Sequence, residues 1–284
     1  MRVAIVGMGA IGHVVERALR GRAELLPVDR TRAPLGDEAA RVDAAVVCVK
    51  THGTSWAADV ARRVLARDGV AITIQNGLGN YEQLRDAVGE ERAAVGVIYV
   101  GARLDERGEL QATGAGRVEL GLPTGEGPRR ALASLAEALR AGGMTVSVVD
   151  DAWPSVWRKL VTNAAVNPVS ALFGLLNAEL LADETASRVA DGLAREVARV
   201  ATATGVAIEE EDAVRWWRDM AQLTGANRSS MLQDVEAGRA TEVDAICGAV
   251  SREGQRLGID APLNRSMALL VEALCRDAPA PART

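Results

Sequence analysis

Residues 3–7, VAIVG, form a short apolar run that breaks directly into GMGAIG and continues as a helical pattern from Ile11 to Arg20. Few folds accommodate that opening. A continuous apolar run suits a strand covered on both faces. Glycines at 7, 9 and 12 let the turn tighten, let backbone approach a bound group, and let the helix pack closely on its strand. Strand, turn and helix together make the first half of a βαβ unit, which implies a parallel sheet with right-handed crossovers.

The pattern repeats through the first half of the chain. ELLPVD (24–29), AAVVCVK (44–50) and VAITIQN (70–76) read as further strands, with a helix expected over 55–66. AAVGVIYVGARL (93–104) and GRVELGL (116–122) read as additional strands, followed by a helix near 128–141 and a strand TVSVVD at 145–150. After Asp151 strand patterns vanish and helical periodicity dominates to about residue 276, broken at turns such as ATGV, TGAN and EAGR. The expected architecture is α/β: a Rossmann-type parallel-sheet domain over 1–150 and an all-α domain over 151–284. The closing RDAPAPART, rich in Pro and Ala, is expected to fray.

Composition narrows the function. The formal charge is −5, basic residues are dispersed among acidic ones, and aromatics are only 3%, so neither a phosphate-tracking surface nor a base-stacking one is expected. Cys48, Cys247 and Cys275 lie far apart without metal-ligand spacing, which points to reduced thiols and a cytoplasmic protein. MRVAIVG reads as a strand and not a signal peptide, and no run of 18 apolar residues suggests a membrane span.

In its strand–turn–helix setting, GMGAIG is a dinucleotide signal, with Gly7, Met8, Gly9, Ala10, Ile11 and Gly12 presenting free N–H groups to a pyrophosphate. Asp29, 22 residues after Gly7, stands where a carboxylate would hold the ribose 2′-OH of NAD. Arg30 and Arg32 follow at once, and a guanidinium there would clamp the 2′-phosphate of NADP. The residues alone leave both cofactors open.

The second half opens on RKLVTNAAVNPVSALFG (158–174), where Lys159, Asn163 and Asn167 recur at intervals of four among apolar neighbours. That spacing stacks them on one helix face, drifting only about 40° per step. A buried, unpaired ammonium is costly, so a lysine in such a place snorkels, pairs or lines a site. Pointed at a bound ketone, Lys159 would donate a hydrogen bond or proton to the oxygen as it becomes an alkoxide, while the amides orient the substrate.

WRKLVTNAAVNP, the NAEL after it, and SSMLQDVEAGRATEVDAICG (229–248) resemble the ketopantoate reductase (2-dehydropantoate 2-reductase) family. GMGAIG, VCVK and QNGLGN fall in the order that family shows. The resemblance implies an NADP-dependent reduction of a small 2-keto acid, ketopantoate first. It implies Lys159 as the catalytic lysine and Glu242, in TEVD, as the glutamate supporting catalysis. Asn163, Asn167, Asn177, Asn227 and Ser230 would contact the substrate, Ser230 at its carboxylate. Arg30 would contact the 2′-phosphate, while Lys50 and Asn76 would lie near the cofactor. Gln75 stands where the family often has histidine, and Ala178 where it often has glycine.

Other residues read as structural. Ser230 also suits a helix cap. His13 and His52 show no carboxylate in a dyad-like spacing, Trp216 and Trp217 suit packing, and Glu209–Asp212 suits a solvated helix start that favours the helix dipole. Two other functions compete. A β-hydroxyacid dehydrogenase would also use a Lys-x-x-x-Asn pair, and a non-catalytic cofactor sensor would keep the glycine loop without needing Lys159, Asn163 and Glu242 together. The helical half could also supply a homodimer surface; no sequence feature decides it.

Overall fold

The computed structural model describes residues 1–31, 41–105, 107–123 and 127–276. Arg32, the rest of the segment after the second strand, and the Pro/Ala-rich end lie outside the described residues. The chain divides into two compact units: Met1–Gln75 with Gly79–Ser155, and Asn76–Leu78 with Val156–Thr284.

The first unit carries a seven-stranded sheet in the order β2-β1-β3-β4-β5-β8-β9. Its strands are β1 (Arg2–Val6), β2 (Glu24–Val28), β3 (Val42–Val47), β4 (Leu65–Thr73), β5 (Ala93–Tyr99), β8 (Arg117–Gly121) and β9 (Thr145–Val149). The pairs β1–β2, β1–β3, β3–β4 and β4–β5 are parallel, as the alternating pattern predicts. The far edge departs from it: β8 runs antiparallel to β5, and β9 rejoins parallel to β8. The expected strand over 93–104 is split, its end forming β6 (Ala102–Leu104) in a separate two-stranded sheet with β7 (Leu110–Ala112).

Strand alternation decides the two faces. Val3, Ile5, Val46 and Ile72 pack in one cluster with α1 (Ala10–Leu19) and α4 (Arg129–Ala141). On the other side α2 (Thr54–Val64) packs with α3 (Asn80–Val88). Helix α3 is an element that the sequence pattern missed. NYEQLRDAV buries only Asn80, Tyr81, Leu84 and Val88, a stripe too sparse to stand out from a polar loop.

The second unit is helical, comprising α5 (Trp153–Phe173) from Val156 on, α6 (Asn177–Ala182), α7 (Glu184–Ala203), α8 (Glu210–Leu223), α9 (Ser230–Glu236), α10 (Ala249–Leu257) and α11 (Pro262–Arg276). Helix α7 packs against α6, α8, α10 and α11. Its Ala186, Ala190, Ala194 and Ala198, all fully buried, make a ridge of small side chains whose i+4 spacing lets a neighbouring helix come close. Buried Glu196 ties α7 to the start of α11: its carboxylate accepts the backbone N–H groups of Leu263 and Asn264 and the Asn264 side-chain amide, each at 2.9 Å. The two backbone groups are donors that a helix start leaves unsatisfied. No helix among the described residues is long and apolar enough to cross a membrane.

Candidate active site

The glycine loop has a distinct reason for each glycine. Gly7 sits at φ +107°, and a Cβ there would lie 2.6 Å from Val49 Cγ1 and 2.7 Å from its backbone nitrogen. A Cβ on Gly12 would lie 2.0 Å from the Gly7 carbonyl oxygen, so only glycine allows α1 to pack on its own loop. Gly9 differs: its Cβ would meet nothing within 4 Å, leaving an open face where backbone can approach a ligand. Gly9 is also the N-cap of α1, where no side chain caps the helix and no acid occupies the first turn. Flanked by half-buried Met8, Ala10 and Ile11, this helix start suits a pyrophosphate.

At the end of β2, Asp29 Oδ1 accepts the backbone N–H of Thr31 at 2.8 Å and its hydroxyl at 2.6 Å. Arg30 beside it is exposed. Lys50, half-buried, precedes the single turn Thr51–Gly53. His13 corrects the expectation that neither histidine has a carboxylate partner: its Nδ1 lies 3.0 Å from Glu16 Oε2. The spacing of three brings the two together on one face of α1.

In the second unit, α5 carries Lys159, Asn163 and Asn167 along one face, the first two half-buried and Asn167 buried. Burial pulls Lys159 down from its ordinary 10.5 to about 8, and the Glu242 carboxylate opposes that fall. Glu242, 6% exposed, also accepts a 3.1 Å hydrogen bond from the Asn76 side-chain amide. Asn76 therefore belongs with Glu242, although 166 residues separate them. The family resemblance implies for it only a place near the cofactor.

Asn177 and Asn227 are joined through backbone, the Asn177 N–H donating to the Asn227 carbonyl at 3.2 Å. Asn177 is buried, and its Nδ2 donates to Thr224 Oγ1 at 2.8 Å. Because the Thr224 hydroxyl gives its own proton to the Met220 carbonyl, it can only accept from Asn177, which fixes the amide's orientation. The other end, Oδ1, is buried with no hydrogen-bond partner. Ser230 does not cap α9. Ser229 does, accepting the Leu232 N–H at 3.1 Å and meeting Ser170 of α5 at 2.5 Å. Ser230 is exposed at the first helical position, and Asn227 is exposed before it.

The residues read as structural have such partners. Trp217 is fully buried with its ring N–H on Asp191, and Trp216 lies under the Arg158 guanidinium. Glu210 and Glu211 in the first turn of α8 pair with Arg199 and Arg195. Among the described residues no cluster of three or more His, Cys, Asp or Glu could hold a metal.

Two family descriptions match this chain: "Ketopantoate reductase PanE/ApbA" over residues 21–125 and "Ketopantoate reductase PanE/ApbA C terminal" over 151–274. The 2-dehydropantoate 2-reductase of Halobacterium salinarum is 32% identical, over 98% of this chain and all of that one. The chain belongs to the ketopantoate reductase family. It is thus an oxidoreductase by descent, and the β-hydroxyacid dehydrogenase and cofactor-sensor readings are not favoured. Among solved structures, a PanE/ApbA family ketopantoate reductase from Ralstonia eutropha JMP134 superposes with a TM-score of 0.84 at 27% identity, covering 97% of this chain and 99% of that one. A D-mandelate dehydrogenase bound to NADH and anilino(oxo)acetate reaches 0.88 at 23% identity, covering 97% and 98%, a likeness of fold.

Proposed function

We propose that the protein is a 2-dehydropantoate 2-reductase that reduces the ketone of ketopantoate to the alcohol of pantoate, with Lys159 as general acid. The observation that carries this reading is a half-buried lysine beside a buried glutamate, with two amides in file on the same helix. The nicotinamide, once bound, supplies the hydride to the ketone carbon. Lys159 hydrogen-bonds the ketone oxygen, stabilises the negative charge gathering there, and gives up a proton to complete the alcohol. Glu242 keeps the ammonium charged against the pull of burial. Asn163 and Asn167 orient the substrate, and Ser230 and Asn227 receive its carboxylate. The buried Asn177 Oδ1, without a partner in the fold, accepts a substrate hydroxyl. Gly7, Gly9 and Gly12, with Met8, Ala10 and Ile11, would cradle the cofactor's pyrophosphate, and Lys50 and Asn76 would be further cofactor-binding residues.

The preferred cofactor in this reading is NADPH. Supporting it, one Asp29 oxygen already takes two donors from Thr31, and exposed Arg30 stands ready for a 2′-phosphate. Following absorbance loss of NADPH and NADH with a panel of 2-keto acids tests both claims. Ketopantoate with NADPH is expected to give the highest kcat/KM. Silence across the panel refutes the reductase reading, and higher kcat/KM with NADH refutes the cofactor reading.

A further inference from the structure

The segment Asp244–Gly248 is a π turn between Glu242 and α10. Such wide turns hydrogen-bond i to i+5 and occur as local insertions in α-helices, often at functional sites. Here the turn is braced by Arg252, whose guanidinium holds the Asp244 carboxylate and, at 3.1 Å, its backbone carbonyl. The Ala245 carbonyl accepts the backbone N–H of Leu78 at 2.9 Å. Gly77, one residue earlier, sits at φ +82°, and a Cβ there would lie 2.3 Å from the same Ala245 oxygen. Backbone is therefore pressed on backbone, and the neighbour before Gly77 is Asn76, whose amide reaches Glu242.

We propose that Gly77 is a positioning residue for the reaction: by letting the Asn76–Leu78 backbone latch onto the π turn, it holds the Asn76 amide on Glu242 and keeps that carboxylate aimed for Lys159. The latch fixes both partners of the amide–carboxylate bond at once, because the turn that receives Leu78 begins two residues after Glu242. A side chain at position 77 must push the loop off Ala245, and the Asn76 amide moves with it. The inference rests on the reductase reading for its consequence in turnover, but the geometry of Lys159 and Glu242 can be read without turnover.

Gly77→Ala tests the latch, with Gly79→Ala as control. Gly79 is also at positive φ, +88°, but a Cβ there would meet nothing within 4 Å, so both changes carry the same kind of backbone strain and only one breaks the contact. The first readout is the pH dependence of Lys159 acetylation by acetic anhydride, followed by peptide mass spectrometry on intact protein. In Gly77→Ala the Lys159 amine is expected to become reactive at a pH lower by about half a unit or more, because a loosened Glu242 supports its charge less. Gly79→Ala is expected to match wild type. The second readout is kcat for ketopantoate, expected to fall at least about tenfold in Gly77→Ala and to stay within about twofold in Gly79→Ala. The third is a double-mutant cycle: if Gly77 acts through Asn76, Asn76→Ala/Gly77→Ala is no worse than Asn76→Ala. Thermal melts and circular dichroism check that each variant is folded; if Gly77→Ala is not, Leu78→Pro, which deletes the donated N–H, takes its place. An unchanged Lys159 titration, equal shifts in both glycine variants, or losses that multiply in the double variant overturn the proposal. A wild type that titrates as expected yet turns over no 2-keto acid refutes the reductase reading and leaves the latch standing.

Discussion

Lys159→Met should abolish catalysis and stabilise the protein. Burial lowers the Lys159 amine from 10.5 to about 8, even with Glu242 opposing it. At about 1.36 kcal/mol per pH unit, holding the ammonium in the folded state at neutral pH costs about 3 kcal/mol relative to the unfolded chain. Methionine keeps most of the stem and removes the charge, so a gain of about 1–3 kcal/mol is expected, the lower end reflecting a Glu242 left without its cation. For a chain of this size that is a rise in Tm of several degrees, at about 2–4 °C per kcal/mol. The sign with pH is specific. The folded value lies below the unfolded one, so between about 8 and 10.5 the unfolded chain binds more protons and wild-type stability gains with rising pH. The difference between variant and wild type should be greatest below pH 8 and vanish toward pH 10.5, since every other titrating group is common to both. Thermal and urea unfolding at a series of pH values measures it. A Lys159→Met protein less stable than wild type at pH 7, or a difference that does not change with pH, would refute the claim that burial dominates at this amine.

Three further outcomes follow from the same geometry. As a general acid Lys159 must carry its proton, so kcat/KM for ketone reduction should be half-maximal near pH 8 and fall about tenfold per unit above it, and Glu242→Gln should move that limb to lower pH; a kcat/KM flat to pH 10 contradicts the role. Gly9→Ala should leave Tm unchanged, because its Cβ meets no protein atom, yet weaken dinucleotide binding at least tenfold in a fluorescence titration, whereas unchanged affinity would place the pyrophosphate elsewhere. Glu196→Ala should lower stability by about 2–4 kcal/mol, since it strands the buried Asn264 N–H and the part-buried Leu263 N–H at the start of α11, without moving the pH midpoint of kcat/KM.

Much of this protein is written in local pattern. The alternation of apolar runs with helical stretches specified the parallel core of the sheet, because a strand covered on both faces needs an unbroken apolar run. The i+4 spacing of Lys159, Asn163 and Asn167 placed three polar groups on one face of α5, because helical periodicity is a property of the backbone alone. Glycine at 7, 9 and 12 announced the turn. Tertiary structure decided what depends on chain segments far apart in sequence. It turned β8 antiparallel to β5, formed α3 from a mostly polar segment, and gave the capping of α9 to Ser229, freeing Ser230. It brought the Asn76 amide to Glu242 across 166 residues and lowered Lys159 by surrounding it with protein. Spacing along one chain carries no information about which distant groups burial will force together, and that is why the lysine could be read from its own segment and Glu242 only through the family resemblance, while the Asn76 amide on that carboxylate and the lysine's acidity could not be read at all.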